Sequence, residues 1–137
     1  MREVAARASA SASMGEGAPR APLVTVVSGR GGVGKTTLVA ALAACAARAG
    51  LRAAVLDLDL MCGDLPSVFG VDGFKGMEGL VAHERDGMIA ECDVEATAMR
   101  IGPGLTLWGP LAEGERAELF GTPVEQLIGV LRGAADV

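Results

Sequence analysis

The apolar and polar positions divide the chain into short blocks. Residues 23–28, LVTVVS, form an apolar, largely β-branched run. Such a run predicts a strand buried on both faces, as in a parallel sheet. A glycine-rich loop follows directly. From Thr36 to Ala49 the period turns helical and places Leu38, Val39, Leu42, Ala43 and Ala46 on one face. The alanines favour helix and let it lie close to a sheet, and Gly50 is a natural stop. AAVLDLD, residues 53–59, reads as a second strand that ends in Asp57 and Asp59.

Beyond this point the pattern weakens. Asp64 is placed to cap a short helix from Leu65 to Phe69, closed by Gly70. GMEGLVAHERDG, residues 76–87, predicts another short helix, with His83 at its solvated exit. GLTLWGP, residues 104–110, predicts a third strand, preceded by a turn at Gly102, Pro103 and Gly104, with Trp108 in the core. TPVEQLIGVLRGAADV, residues 122–137, predicts a helix capped by Thr122, with Val124, Leu127, Ile128 and Leu131 on one face. Strands alternating with helices imply an α/β fold, a parallel sheet with helices on both faces. Residues 1–21 read as a flexible linker, and residues 22–137 as the domain.

Composition narrows the picture. A chain of 137 residues suits one domain, and with only 3% aromatic residues its core must be aliphatic. The net charge of -5 argues against a nucleic-acid surface in these residues. Cys45, Cys62 and Cys92 lie far apart without a CxxC pair, which argues against zinc and against a disulfide framework. Free thiols suit a reducing, cytoplasmic setting. The most apolar stretch, Leu38 to Leu56, is interrupted by Arg48 and Arg52, so no membrane span is predicted. The N-terminal residues lack the apolar segment of a secretory signal.

The candidate chemistry sits in SGRGGVGKTT, residues 28–37. Gly29, Gly34, Lys35 and Thr36 satisfy G-x-x-x-x-G-K-[ST]. Phosphate oxygens need several donors at once. Backbone N–H groups supply them only where glycines let the chain curl around the anion. The helix that follows adds unpaired N–H groups. Lys35 brings a full charge for the β- and γ-phosphates, and the Thr36 hydroxyl is a hard ligand for Mg²⁺. The nucleotide-binding set is therefore Gly29, Arg30, Gly31, Gly32, Val33, Gly34, Lys35, Thr36 and Thr37.

GRGGVGKTT resembles the deviant Walker A loop of the MinD/ParA ATPases, usually written KGGxGKT. AAVLDLDLMCGDLPSVFGVDG, residues 53–73, is similar to the second strand and switch I of that family. The wording LDLMCGDLPSVFGVD is closest to the CpaE/TadZ branch, which helps localise pilus-assembly machinery. The likeness covers about residues 22–110. It implies a P-loop NTPase fold of which this chain is the N-terminal portion, with the switch II aspartate further on. It also implies ATP and Mg²⁺ as cofactors. By position, Asp59 orients the attacking water, and Asp57 lies near Mg²⁺ through a water. Arg30 stands where the family has a lysine that crosses to the partner's phosphates in an ATP-dependent homodimer. A contact within its own chain, or plain solvent exposure, is the alternative for Arg30. The expected role is a dimeric ATPase that organises position at a cell pole or membrane periphery, with pilus-assembly proteins as partners. A dimer switch with little hydrolysis and a ParA-type DNA-segregation ATPase are the rivals. A metal-cluster carrier would want paired cysteines.

Overall fold

A computed structural model of the chain describes residues 20–59, 63–73, 77, 80, 89–110 and 122–137. Most of the helix expected over residues 76–87 lies outside them, as do His83, Cys62 and residues 1–19. The elements are α1 (Lys35–Arg48), β1 (Ala53–Leu56), α2 (Leu65–Val68), α3 (Glu91–Ala96), β2 (Met99–Gly102), β3 (Leu105–Trp108) and α4 (Thr122–Ala134).

The strands form one sheet in the order β1-β3-β2. β1 and β3 are parallel, with Ala53 opposite Leu105 and Val55 opposite Leu107. β2 runs antiparallel to β3, so the sheet is mixed and not purely parallel as expected. The turn anticipated at Gly102 to Gly104 is the link of this β2–β3 hairpin. Side-chain alternation sorts the sheet into two faces. Ala53, Val55, Leu105 and Leu107 pack with Ala40 and Ala43 of α1 and Leu65 of α2. On the other face Trp108 packs with Val94 of α3 and Leu127 and Leu131 of α4, joined by Ala54 and Leu56. Helices therefore cover both faces. Leu107 and Leu127 are fully buried, and such side chains each stabilise a fold by roughly 1.5–3 kcal/mol.

α3 follows from local chemistry. Glu91 and Asp93 place acid in its first turn, which favours the positive end of the helix dipole. The Asp93 carboxylate also accepts the Ala90 N–H at 3.3 Å. Trp108 Nε1 donates to the Val94 carbonyl at 2.8 Å, tying β3 to α3.

Two expectations need correction. In α1 the buried residues are Ala40 and Ala43, whereas Leu38 and Leu42 are each about half exposed. Val39, Ala43 and Ala46 of the expected face pack toward the sheet, whereas Leu42 faces the cleft beside β1. The run LVTVVS forms no strand. Leu23, Val24 and Val27 are all more than half exposed. A strand needs a ladder partner, and a cleft of about 980 Å³ separates this segment from β1. Ala21, at the end of the expected linker, is buried. Its N–H donates to the Arg132 carbonyl at 2.7 Å, and Arg132 Nε donates to the Ala21 carbonyl at 2.7 Å.

The edge of β1 away from β3 meets the last residues of the chain. Val137 N–H donates to the Arg52 carbonyl at 3.2 Å, and Ala54 N–H donates to the Val137 carbonyl at 2.8 Å. Beside this bridge, Arg52 and Asp136 form an exposed ion pair at 2.8 Å. Hydrogen bonds from the Arg52 side chain and backbone N–H hold the Asp136 carboxyl down to about 2, below its ordinary 3.8. A depressed carboxyl stabilises the fold above its unfolded value and loses that contribution as pH falls through its folded value. The melting temperature of Asp136→Asn should therefore lie slightly below wild type at pH 5. The gap should close between pH 4 and pH 2. A gap that stays constant across that range would show that Arg52 does not act through the Asp136 charge.

Candidate functional site

The phosphate loop ends at Gly34, the residue before α1. Gly34 has φ 88 and makes no side-chain cap, so the turn into the helix uses a conformation that side-chain-bearing residues resist. The first helical bond runs from Leu38 N–H to the Gly34 carbonyl at 2.9 Å. The N–H groups of Lys35, Thr36 and Thr37 precede it and have no intrahelical acceptor. A Cβ added at Gly29, Gly31 or Gly32 would meet nothing within 4 Å. The glycines thus keep an open approach to the backbone. Ser28 Oγ donates to the Arg30 carbonyl at 2.8 Å across the start of the loop. Arg30, Gly31, Gly32, Val33 and Thr37 are exposed, while Lys35 and Thr36 are half-buried.

β1 delivers the two aspartates. Asp57 is only 5% exposed. Its N–H donates to the Trp108 carbonyl at 2.8 Å, which carries the β1–β3 ladder one step past the strand. Its Oδ1 accepts the Asp59 N–H at 3.0 Å, and its Oδ2 accepts the Leu65 N–H at 3.4 Å. Burial pushes the Asp57 carboxyl above its ordinary value, against the pull of these two backbone bonds. Asp57 therefore staples both ends of the segment between β1 and α2. Asp64 occupies the cap position of α2 but makes no side-chain cap bond, so the capping role expected of it falls to Asp57. No local pattern marks this, because the bond spans Asp57 to Leu65 and exists only once the segment has folded back.

Lys35 Nζ lies 4.0 Å from Asp59 Oδ2, with both side chains about one third exposed. Ser28, Lys35, Thr36, Asp57 and Asp59 all line the cleft between residues 21–28 and β1. The fold thus brings together the lysine, the hydroxyl and the two carboxylates singled out in the sequence. Arg30 and Val33 lie outside the cleft lining. Thr36 and Asp57 are hard oxygen donors on one cleft, which fits Mg²⁺. Each Asp57 oxygen accepts one N–H and keeps acceptor capacity toward the cleft. Among the described residues no cluster of three or more His, Cys, Asp or Glu is arranged to hold a metal. Mg²⁺ typically takes one or two protein ligands and completes its shell with phosphate oxygens and water. The donor set here matches that pattern.

Comparison with known proteins agrees with this geometry. A putative septum site-determining protein MinD of Nephroselmis olivacea is 42% identical over 55 residues, 40% of this chain and 20% of that protein. A cytosolic Fe-S cluster assembly factor CFD1 of Chaetomium globosum is 37% identical over 70 residues, 47% of this chain and 23% of the relative. An uncharacterized ATP-binding protein of Methanocaldococcus jannaschii is 42% identical over 50 residues, 36% of this chain and 19% of that protein. The matched part spans about one fifth of the length of these relatives. No solved structure matches the chain significantly. Residues 24–131, most of the chain and all of the site, match the CobQ/CobB/MinD/ParA nucleotide binding domain, and the chain belongs to that family.

Proposed function

We propose that this P-loop nucleotide-binding protein binds ATP with Mg²⁺, hydrolyses it, and acts as an ATP-dependent dimer that organises position in the cell. The observation that carries the reading is the convergence of Lys35, Thr36, Asp57 and Asp59 on one cleft beside the open glycine loop. The loop N–H groups and Lys35 bind the phosphate chain. Mg²⁺, when bound, would neutralise phosphate charge; Thr36 would hold it directly and Asp57 through a water. Asp59 orients the attacking water, while its own backbone is fixed by Asp57. Arg30, exposed on the loop, reaches across the dimer to the partner's phosphates. Arginine keeps the charge of the family's lysine but is planar and longer, which suits slower turnover.

The pilus-assembly role rests on the wording of residues 58–72 and on the resemblance it carries. A DNA-segregation role would show as a basic surface further along the protein, and these 137 residues, which carry -5, supply none of it. Cluster assembly, the role in the name of the CFD1 relative, would want paired cysteines. The sequence has no CxxC pair, and Cys45 and Cys92 are single and exposed.

Phosphate release from ATP tests the chemistry. Asp59→Ala in the full chain should retain ADP binding and lose most turnover, because positioning the water lowers the barrier without adding ground-state affinity. Unchanged release would remove Asp59 from the reaction. Nucleotide binding without any release by wild type would favour the dimer switch. Light scattering with ATP on Arg30→Ala/Asp59→Ala addresses the interface, since a normal dimer would exclude Arg30 from it.

A further inference from the structure

We infer that Asp59 and the β-phosphate of the nucleotide compete for Lys35, so that the aspartate is stored on the phosphate-loop lysine and released by phosphate itself. This rests on the phosphate-loop reading of the site. Lys35 brings the loop its full positive charge, and it stands 4.0 Å from Asp59 Oδ2. That separation is the outer limit of an ion pair. With both groups one third exposed, the pair is loose enough to exchange.

The rest of the geometry makes the exchange local. Asp59 N–H is held by Asp57 Oδ1, and Asp57 N–H by the Trp108 carbonyl. The Asp59 backbone is thereby pinned to the β1–β3 ladder. Its carboxylate leaves the lysine for a water-directing position by turning about its own side-chain bonds. A phosphate group offers more charge and more acceptor oxygens than one carboxylate, so it takes the ammonium. Binding and readiness for chemistry are then one event. A nucleotide lacking the β-phosphate leaves Asp59 where it is. Asp57 is thereby the positioning residue that aims Asp59 at Lys35.

Calorimetry with ADP and AMP on the full chain tests this without turnover. Asp59→Asn removes the competing charge and should tighten ADP about twofold to fivefold, the range of a part-exposed ion pair, while AMP affinity stays unchanged. Asp64→Asn, an exposed carboxylate lost close by, should shift neither ligand. On a Lys35→Gln background the gain from Asp59→Asn should vanish. The inference is overturned by equal gains for ADP and AMP, by a matching gain from Asp64→Asn, by no gain, or by a gain that persists without Lys35. In the last case Asp59 simply repels the phosphate. Absence of ADP binding by wild type is a different result: it sinks the phosphate-loop reading and takes this inference with it.

Discussion

Lys35→Ala should weaken ADP and ATP binding roughly tenfold to a hundredfold. Hydrogen bonds to charged groups contribute about 1.5–3 kcal/mol, and each 1.4 kcal/mol is about tenfold in affinity. The loss comes from the β-phosphate, which forfeits its ammonium partner. The fold should be nearly unaffected, because the side chain is partly exposed and the helix begins at the same residue. Calorimetry gives the affinity and thermal unfolding gives the control. Unchanged affinity would remove the phosphate loop from nucleotide binding altogether.

Gly109→Ala should lower stability by about 2–4 kcal/mol. Gly109 has φ 92, and a Cβ there would run into the Asp57 carbonyl oxygen. Both the left-handed backbone and the contact with main chain resist relief by a side-chain rotation. The effect should reach the site, since Asp57 is the residue pushed. In a chain of this size the melting temperature should fall by roughly 10 °C. Gly31→Ala is the informative contrast. Its added Cβ meets nothing within 4 Å, so stability should stay within about 0.5 kcal/mol. Equal melting temperatures for the two variants would show that the Gly109 contact relaxes at little cost.

The parts legible in the sequence were those whose physics is local. The glycine loop, the helix after it and the strand ending in Asp57 and Asp59 are each specified by neighbours within a few residues. What escaped depends on distant partners. LVTVVS has the composition of a buried strand, yet pairing is decided by what lies alongside, and across the cleft β1 bonds to β3 and Val137 instead. β2 is short and carries the exposed Arg100, which pairs with Glu95 of α3, so no apolar run announced it. Its antiparallel course is set by the Pro103–Gly104 turn. In α1 the expected face holds at Val39, Ala43 and Ala46, but Leu42 borders the cleft and stays half exposed. Asp64 sits at the expected cap, and only the folded segment shows that Asp57 supplies the bond.

The pair of hydrogen bonds between Ala21 and Arg132 has a consequence for binding entropy. The phosphate loop belongs to a span, residues 22–34, anchored at one end by α1 and at the other by this clasp on α4. A tethered span samples far fewer shapes than a free tail, and the cost of closing a loop grows only slowly with its length. Much of the ordering of the phosphate cradle is therefore met during folding, before any ligand arrives. By holding Ala21, Arg132 in this sense contributes to nucleotide affinity through preorganisation.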